Sequence, residues 1–197
     1  MHHRPRMLAV LFSLVVSVPL FASQFVQLPF DQLARESQYI VRGTVENTWT
    51  AWDDAHEVIF TYATVRVSRY FGDTTGPDTL TVREAGGTVG DYTQEAIGFP
   101  AIRRGENVVL FLAPWDDGGA ELRIHAFNQG KLLVRNRGGV EVLVEDPVHQ
   151  GDARLGGGDG RFAAEANAVG MTIPELETRI DAARAGELVD RVERPRQ

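Results

Sequence analysis

Tyr39-Ile40-Val41-Arg42-Gly43-Thr44-Val45-Glu46-Asn47-Thr48-Trp49 is the stretch that decides the fold. Tyr39, Val41, Gly43, Val45, Asn47 and Trp49 alternate with Ile40, Arg42, Thr44 and Glu46. A period of two belongs to a strand, whose successive side chains point to opposite faces. Gly43 inside it predicts a bulge or a sharp coil. Trp52-Asp53-Asp54-Ala55-His56 reads as the turn that follows, its acids hydrogen-bonded to local backbone. Residues 58–71 then read as a second long strand, rich in β-branched and aromatic residues, with Ile59, Ala63, Val65, Val67 and Phe71 as its better apolar face. A polar loop with Gly76-Pro77 leads to a short third strand over residues 79–83. Two long strands in a hairpin and a shorter third predict a small coiled barrel.

Residues 107–113 form a near-continuous apolar run, the pattern of a strand buried on both faces. Residues 121–127 alternate through Leu122, Ile124 and Ala126, and strands over 131–135 and 140–144 flank Asn136-Arg137-Gly138-Gly139. A short helix is expected over residues 28–37, with Pro29 and Asp31 at its start and Leu33 and Ala34 as its apolar contacts. Near the end Thr172 and Glu175 form a capping box, and Pro174 sits in the first turn. Ile173, Leu176 and Ile180 share one face of this helix, Gly186 is its expected stop, and a charged tail follows. The fold class is therefore mainly β: an OB-like five-stranded Greek-key barrel with extra strands and a C-terminal α-helix. The alternative is a β-sandwich.

Residues 1–23 read as a secretory signal peptide. Arg4 and Arg6 precede an apolar run over residues 7–21, and the small residues Ala22-Ser23 follow. The barrel is expected over residues 24–145, and a glycine-rich loop, helix and charged tail over 146–197. The expected location is periplasmic or extracellular, with no membrane span once the signal is cleaved. The net charge of −7 becomes −9 when Arg4 and Arg6 leave, which argues against nucleic acid and anionic membranes as partners. The chain has no cysteine, which removes disulfides, thiol catalysis and cysteine-ligated metal and leaves stability to a packed core.

Ser37-Gln38-Tyr39-Ile40-Val41-Arg42-Gly43-Thr44-Val45, Thr61-Tyr62-Ala63-Thr64-Val65-Arg66-Val67 and Tyr70-Phe71-Gly72-Asp73 carry a resemblance, with residues 79–83 and Gly105-Glu106-Asn107-Val108-Val109-Leu110-Phe111-Leu112. Together they resemble the OB-fold of tissue inhibitors of metalloproteinases and netrin-type modules. They look more closely like uncharacterised exported bacterial proteins of the same layout, from whose Ala/Ser-Asp-X-Ile-Val-X-Gly opening this chain departs at Gln38. The resemblance implies a fold over residues 28–134 and little function. The inhibitors chelate a protease zinc through an N-terminal cysteine, which this chain lacks.

Catalytic motifs are missing. Beyond the signal's apolar run only Ser23, Ser37 and Ser68 remain as serines, and none lies in Gly-X-Ser-X-Gly. His56, His125 and His149 are far apart and make no His-Glu-X-X-His pair. Asp53-Asp54 and Asp116-Asp117 lack calcium-loop spacing. Gly158-Asp159-Gly160-Arg161-Phe162-Ala163 matches a dinucleotide pattern but lacks the strand before it and the helix after it. No cofactor or metal is expected. The unusual segment is the long glycine-bearing connection over residues 84–106. Beside the first hairpin it offers a ligand or partner surface made of Trp49, Trp52, Gly86, Gly87, Tyr92 and Phe99. The function expected is an exported, non-enzymatic module that binds a protein or an extracellular ligand. The alternatives are a hydrolase or metal-dependent enzyme built from scattered acids and histidines, and a structural envelope component.

Overall fold

A computed structural model describes residues 28–115, 120–146 and 168–193. The signal peptide, Asp116-Asp117, His149, the glycine-rich loop and the Gly158–Ala163 motif lie outside the described residues. The elements in order are α1 (Phe30–Glu36), β1 (Tyr39–Trp52), β2 (Ile59–Tyr70), β3 (Thr79–Ala85), β4 (Gly87–Val89) and β5 (Tyr92–Gln94). They continue with β6 (Asn107–Pro114), β7 (Leu122–Ile124), a 3-10 turn (Phe127–Gly130), β8 (Lys131–Arg137), β9 (Val140–Val144) and α2 (Ile173–Glu193).

β1, β2 and β3 pair antiparallel in sequence order. β3 meets β7 in parallel at Val82 opposite Leu122, β7 pairs antiparallel with β6, and β6 returns antiparallel to β1. Five strands thus close a barrel, with β8 and β9 as extra strands and α2 at the C-terminal end. This is the mainly β, OB-like arrangement, not the sandwich.

β1 serves two neighbours because it coils. Residues 39–44 pair with β6 while residues 41–52 pair with β2. The coil passes through Gly43, where the register shifts and a Cβ would stand 2.5 Å from the Arg66 carbonyl oxygen. A second bulge sits at Glu46: Val45 faces Val65, but Asn47 faces Thr64. The extra residue reverses the alternation. Val41 and Val45 point into the barrel, whereas Asn47 and Trp49 point out, so the odd positions do not keep one face.

The core has two layers. Val45, Val65, Val82, Leu110, Leu112 and Ile124 fill the barrel. Phe30, Leu33, Val109, Phe111, Leu176 and Ile180 pack outside it, between β6 and the two helices. β6 is therefore buried on both faces, as its unbroken apolar sequence requires. Arg184 of α2 ties the layers together: its Nη1 donates to the Gly72 carbonyl at 2.7 Å and to Thr74 Oγ1 at 2.8 Å, and its Nε to the Ala34 carbonyl at 3.3 Å.

Three expectations change. The strand expected over residues 121–127 stops at Ile124. Ala126 and Phe127 both adopt φ 55°, and a 3-10 turn interrupts the edge along which β7 and β8 successively pair with β6. The connection over residues 84–106 contains its own hairpin, β4–β5. The capping box is present, with the Thr172 N–H donating to Glu175 Oε2 at 2.8 Å, but α2 runs past Gly186 to Glu193. A helical glycine costs only about 1 kcal/mol relative to alanine and does not by itself end a helix whose preceding turns are packed. Among the described residues no helix is long and apolar enough to cross a membrane.

Candidate functional site

The extended tip of the β1–β2 hairpin has two dressed faces. On the outer face Trp49, Tyr62 and Arg83 form one cross-strand row, because Trp49 is opposite Tyr62 and Tyr62 is opposite Arg83. The Trp49 and Tyr62 rings stack with centroids 5.3 Å apart and 8° between planes. Phe60 lies 6.5 Å from Tyr62 and 5.6 Å from Trp115, which stands edge-on to it. The Arg83 guanidinium sits 4.8 Å from both the Phe60 and the Trp115 ring. Trp115 Nε1 donates to the Arg83 carbonyl at 2.9 Å, which anchors the end of β6 over the sheet. The next row is Asn47, Thr64 and Thr81, and the row beyond the rings is Ala51, Phe60 and Ala85. None of these outward positions carries a carboxylate.

The inner face of the tip is covered. β4 lies so close that a Cβ on Gly87 would stand 2.7 Å from Thr50 Cγ2 and 2.8 Å from Thr61 Oγ1. Gly86 and Gly87, with φ 96° and 140°, turn the chain out of β3 into this hairpin. Thr61 Oγ1 donates to the Gly86 carbonyl at 2.7 Å, and the Ile59 N–H donates to Gln94 Oε1 at 2.6 Å. Trp52 stacks on His56 and meets the edge of Tyr92 at 5.8 Å. Asp53 Oδ1 accepts the N–H groups of Val58 and Glu57, and these bonds hold its carboxyl below the usual value.

The six residues expected to form one surface are thus divided. Trp52, Gly86, Gly87 and Tyr92 meet at the inner side of the tip, while Trp49 points the opposite way. Phe99 belongs elsewhere, packed edge-on against Phe127 at 5.0 Å. Phe60, Tyr62, Arg83 and Trp115 escaped the sequence reading. The signal for two of them was present: Phe60 and Tyr62 occupy the even positions of β2, opposite the apolar odd face.

Two buried charge sites lie away from the tip. The Lys131 ammonium is fully enclosed; it donates to the Ala101 carbonyl and to Asp146 Oδ2 at 2.9 Å and forms an ion pair with Glu106 Oε2 at 2.7 Å. Arg103 Nη1 joins both carboxylates, at 2.9 Å and 3.2 Å. Two carboxylates match its charge in an enclosed site, so Lys131 acts as a structural pin. Glu84 faces the barrel interior at 2% exposure. Burial pushes its carboxyl up to about 8, against the Ile124 N–H that donates to Oε1 at 2.5 Å and the nearby charge of Arg123. Its Oε2 has no partner among the described residues. His125 Nε2 lies 3.3 Å from Glu36 Oε2 beside α1, remote in the fold from His56 at the hairpin tip. Among the described residues no group of three or more histidine or acidic side chains is arranged to hold a metal.

The fold and this surface together define an OB-type barrel with an aromatic outer sheet face. Comparisons with protein-family models, curated proteins and solved structures give no match to the chain.

Proposed function

We propose that this is an exported, non-enzymatic binding module whose contact surface is the outer face of β1–β2–β3 around Trp49. Trp49 carries the reading. It is 41% exposed, with one ring face against Tyr62. β6 pairs with β1 only as far as Thr44, so at Trp49 the strand has β2 on one side and no strand on the other among the described residues. A large ring held open in a contiguous aromatic patch, outside both core layers, is the usual mark of an interaction site. In OB-type barrels the outer face of the second and third strands, with the loops that flank it, is the common binding surface. Here Phe60, Tyr62 and Arg83 come from those strands and Trp115 from the connection between the barrel's last two.

Export is part of the same proposal and is supported by the charged, apolar and small-residue order of residues 1–23. Kinship with the metalloproteinase-inhibitor and netrin-type modules enters at the level of fold only. The test is affinity capture with the exported chain from envelope and culture fractions, run in parallel with Trp49→Ala/Tyr62→Ala. A component retained by the native chain and lost with the double variant is expected. Equal background on both rejects the surface.

A further inference from the structure

We infer that the ligand of this face is an uncharged glycan chain, with the open face of Trp49 as the platform for a sugar ring. The inference rests on the binding role proposed above and names its ligand. A pyranose presents a flat C–H face and a rim of hydroxyls. It therefore needs an open aromatic face beside neutral hydrogen-bonding groups, the mixed lining that small-molecule sites share. The outer sheet supplies both in register. The Trp49–Tyr62–Arg83 row runs directly beside the Asn47–Thr64–Thr81 row. One face of the Trp49 indole is taken by Tyr62, so its 41% exposure leaves the other face and edge for a ligand. The rings continue through Phe60 to Trp115 with centroid steps of 6.5 and 5.6 Å, so the surface is elongated, as a chain ligand requires.

Charge decides against polyanions. The chain carries a net charge of −7, and the cations on and beside this face are already engaged: Arg83 lies between two rings, Arg66 pairs with Glu46, and Arg123 Nε donates to the Pro114 carbonyl. Nucleic acid and acidic polymers are held by several cations acting together. The ring area alone is small for a folded protein. An aromatic side chain buries about 150–250 Å² when fully covered. With Trp49 at 41% exposure and the other three rings more enclosed, the four expose at most about 400 Å², half of the ~800 Å² per partner of a stable protein interface. Aliphatic side chains larger than alanine are also missing from these outward positions, where Asn, Thr and Ala accompany the rings.

The experiment titrates the exported chain with soluble neutral oligosaccharides, namely β-linked glucose, α-linked glucose and β-linked N-acetylglucosamine chains. Heat and tryptophan emission are followed at low and high salt. At least one series is expected to bind and to shift the emission. Trp49→Ala should weaken binding by about tenfold or more, Trp49→Phe should retain most of it, and Tyr92→Ala on the inner side should leave it unchanged. Affinity should be nearly independent of salt. Native far-UV spectra and melting of Trp49→Ala separate a lost platform from a lost fold. Binding by none of the three series, or binding indifferent to Trp49→Ala, overturns the inference. So does salt-sensitive binding of a single-stranded oligonucleotide at this face. A protein captured through Trp49 and Tyr62 without any glycan bound rejects the ligand class but keeps the binding role, whereas failure of capture and titration together rejects both.

Discussion

Glu84 makes folding stability depend on pH in a direction opposite to that of most carboxylates. Its acid group is folded into the barrel interior, and burial raises it from the ordinary 4.5 to about 8. Below pH 4.5 both the folded and the unfolded chain hold the proton, so the group contributes no penalty. As pH rises above 4.5 the unfolded chain releases its proton and the folded chain keeps it until about 8. The unfolded state gains and stability falls with pH, levelling off once both states are ionised. Each unit of difference is worth about 1.36 kcal/mol, so the loss is about 3 kcal/mol at neutral pH and about 4–5 kcal/mol on the alkaline plateau. Glu84→Gln keeps an oxygen for the Ile124 N–H and cannot ionise. Urea unfolding of both proteins at several points from about pH 5 to about pH 9 isolates the term, because all other titrating groups cancel in the difference. The variant should gain on the native chain by about 3 kcal/mol near neutrality, rising to a plateau of about 4–5 kcal/mol above about pH 8. A stability difference that stays flat across this range, or a variant weaker than the native chain on the alkaline side, refutes the assignment of Glu84 as a buried neutral acid.

Other perturbations test the frame that holds the tip. Lys131→Met leaves Glu106 and Asp146 enclosed with Arg103 alone, and should cost about 3 kcal/mol in denaturant unfolding; adding Asp146→Asn should recover part of the loss. Gly130→Ala puts a Cβ 2.1 Å from the His125 carbonyl oxygen, against backbone that cannot yield, and should lower the melting temperature far more than Gly90→Ala. Gly90 has φ 59° and open space around its Cβ, so it bears only the left-handed backbone cost of about 1–2 kcal/mol. Arg184→Ala removes bonds to Gly72, Thr74 and Ala34 and should cost about 2 kcal/mol, with the earliest hydrogen-exchange loss between α1 and α2.

What the sequence disclosed follows from the range of each interaction. β1, β2 and β6 were legible because their face patterns are local. So was the start of α2, where Thr172 and Glu175 satisfy each other three residues apart. β4 and β5 have three residues each, too few for any period to register, and their place is set by Gly87 closing on Thr50 and Thr61 across the sheet. Lys131, Glu106 and Glu84 look in sequence like solvated charges. Their burial depends on partners brought together only when the barrel closes. The proposed binding face stood between these cases: Trp49 was visible as an aromatic residue in a strand, but its direction was not.

That direction requires the ladder to take up Glu46 as a bulge, and the bulge can be tested. In an uninterrupted ladder Trp49 would share the face of Val45 and point into the barrel, leaving Thr48 and Thr50 outside. The bulge places Asn47 opposite Thr64, so that Trp49 falls opposite Tyr62 and points outward. If Glu46 is the extra residue, its deletion leaves Val45 opposite Val65 and Asn47 opposite Thr64. Trp49 then stays outside, and the chain loses only the local bend and the Glu46–Arg66 ion pair. If the ladder were regular, the same deletion would move Trp49 to the other face, since a one-residue slip exchanges the two sides of a strand. Acrylamide quenching of Trp49, in a Trp52→Phe/Trp115→Phe background, separates the outcomes. Quenching that persists after the deletion supports Glu46 as the extra residue of a bulge, and protection from quencher contradicts it. The outward direction of Trp49 is then set by the register of residues 47–52 against β2, and Glu46 is the extra residue that β1 takes up by bending where it coils toward barrel closure.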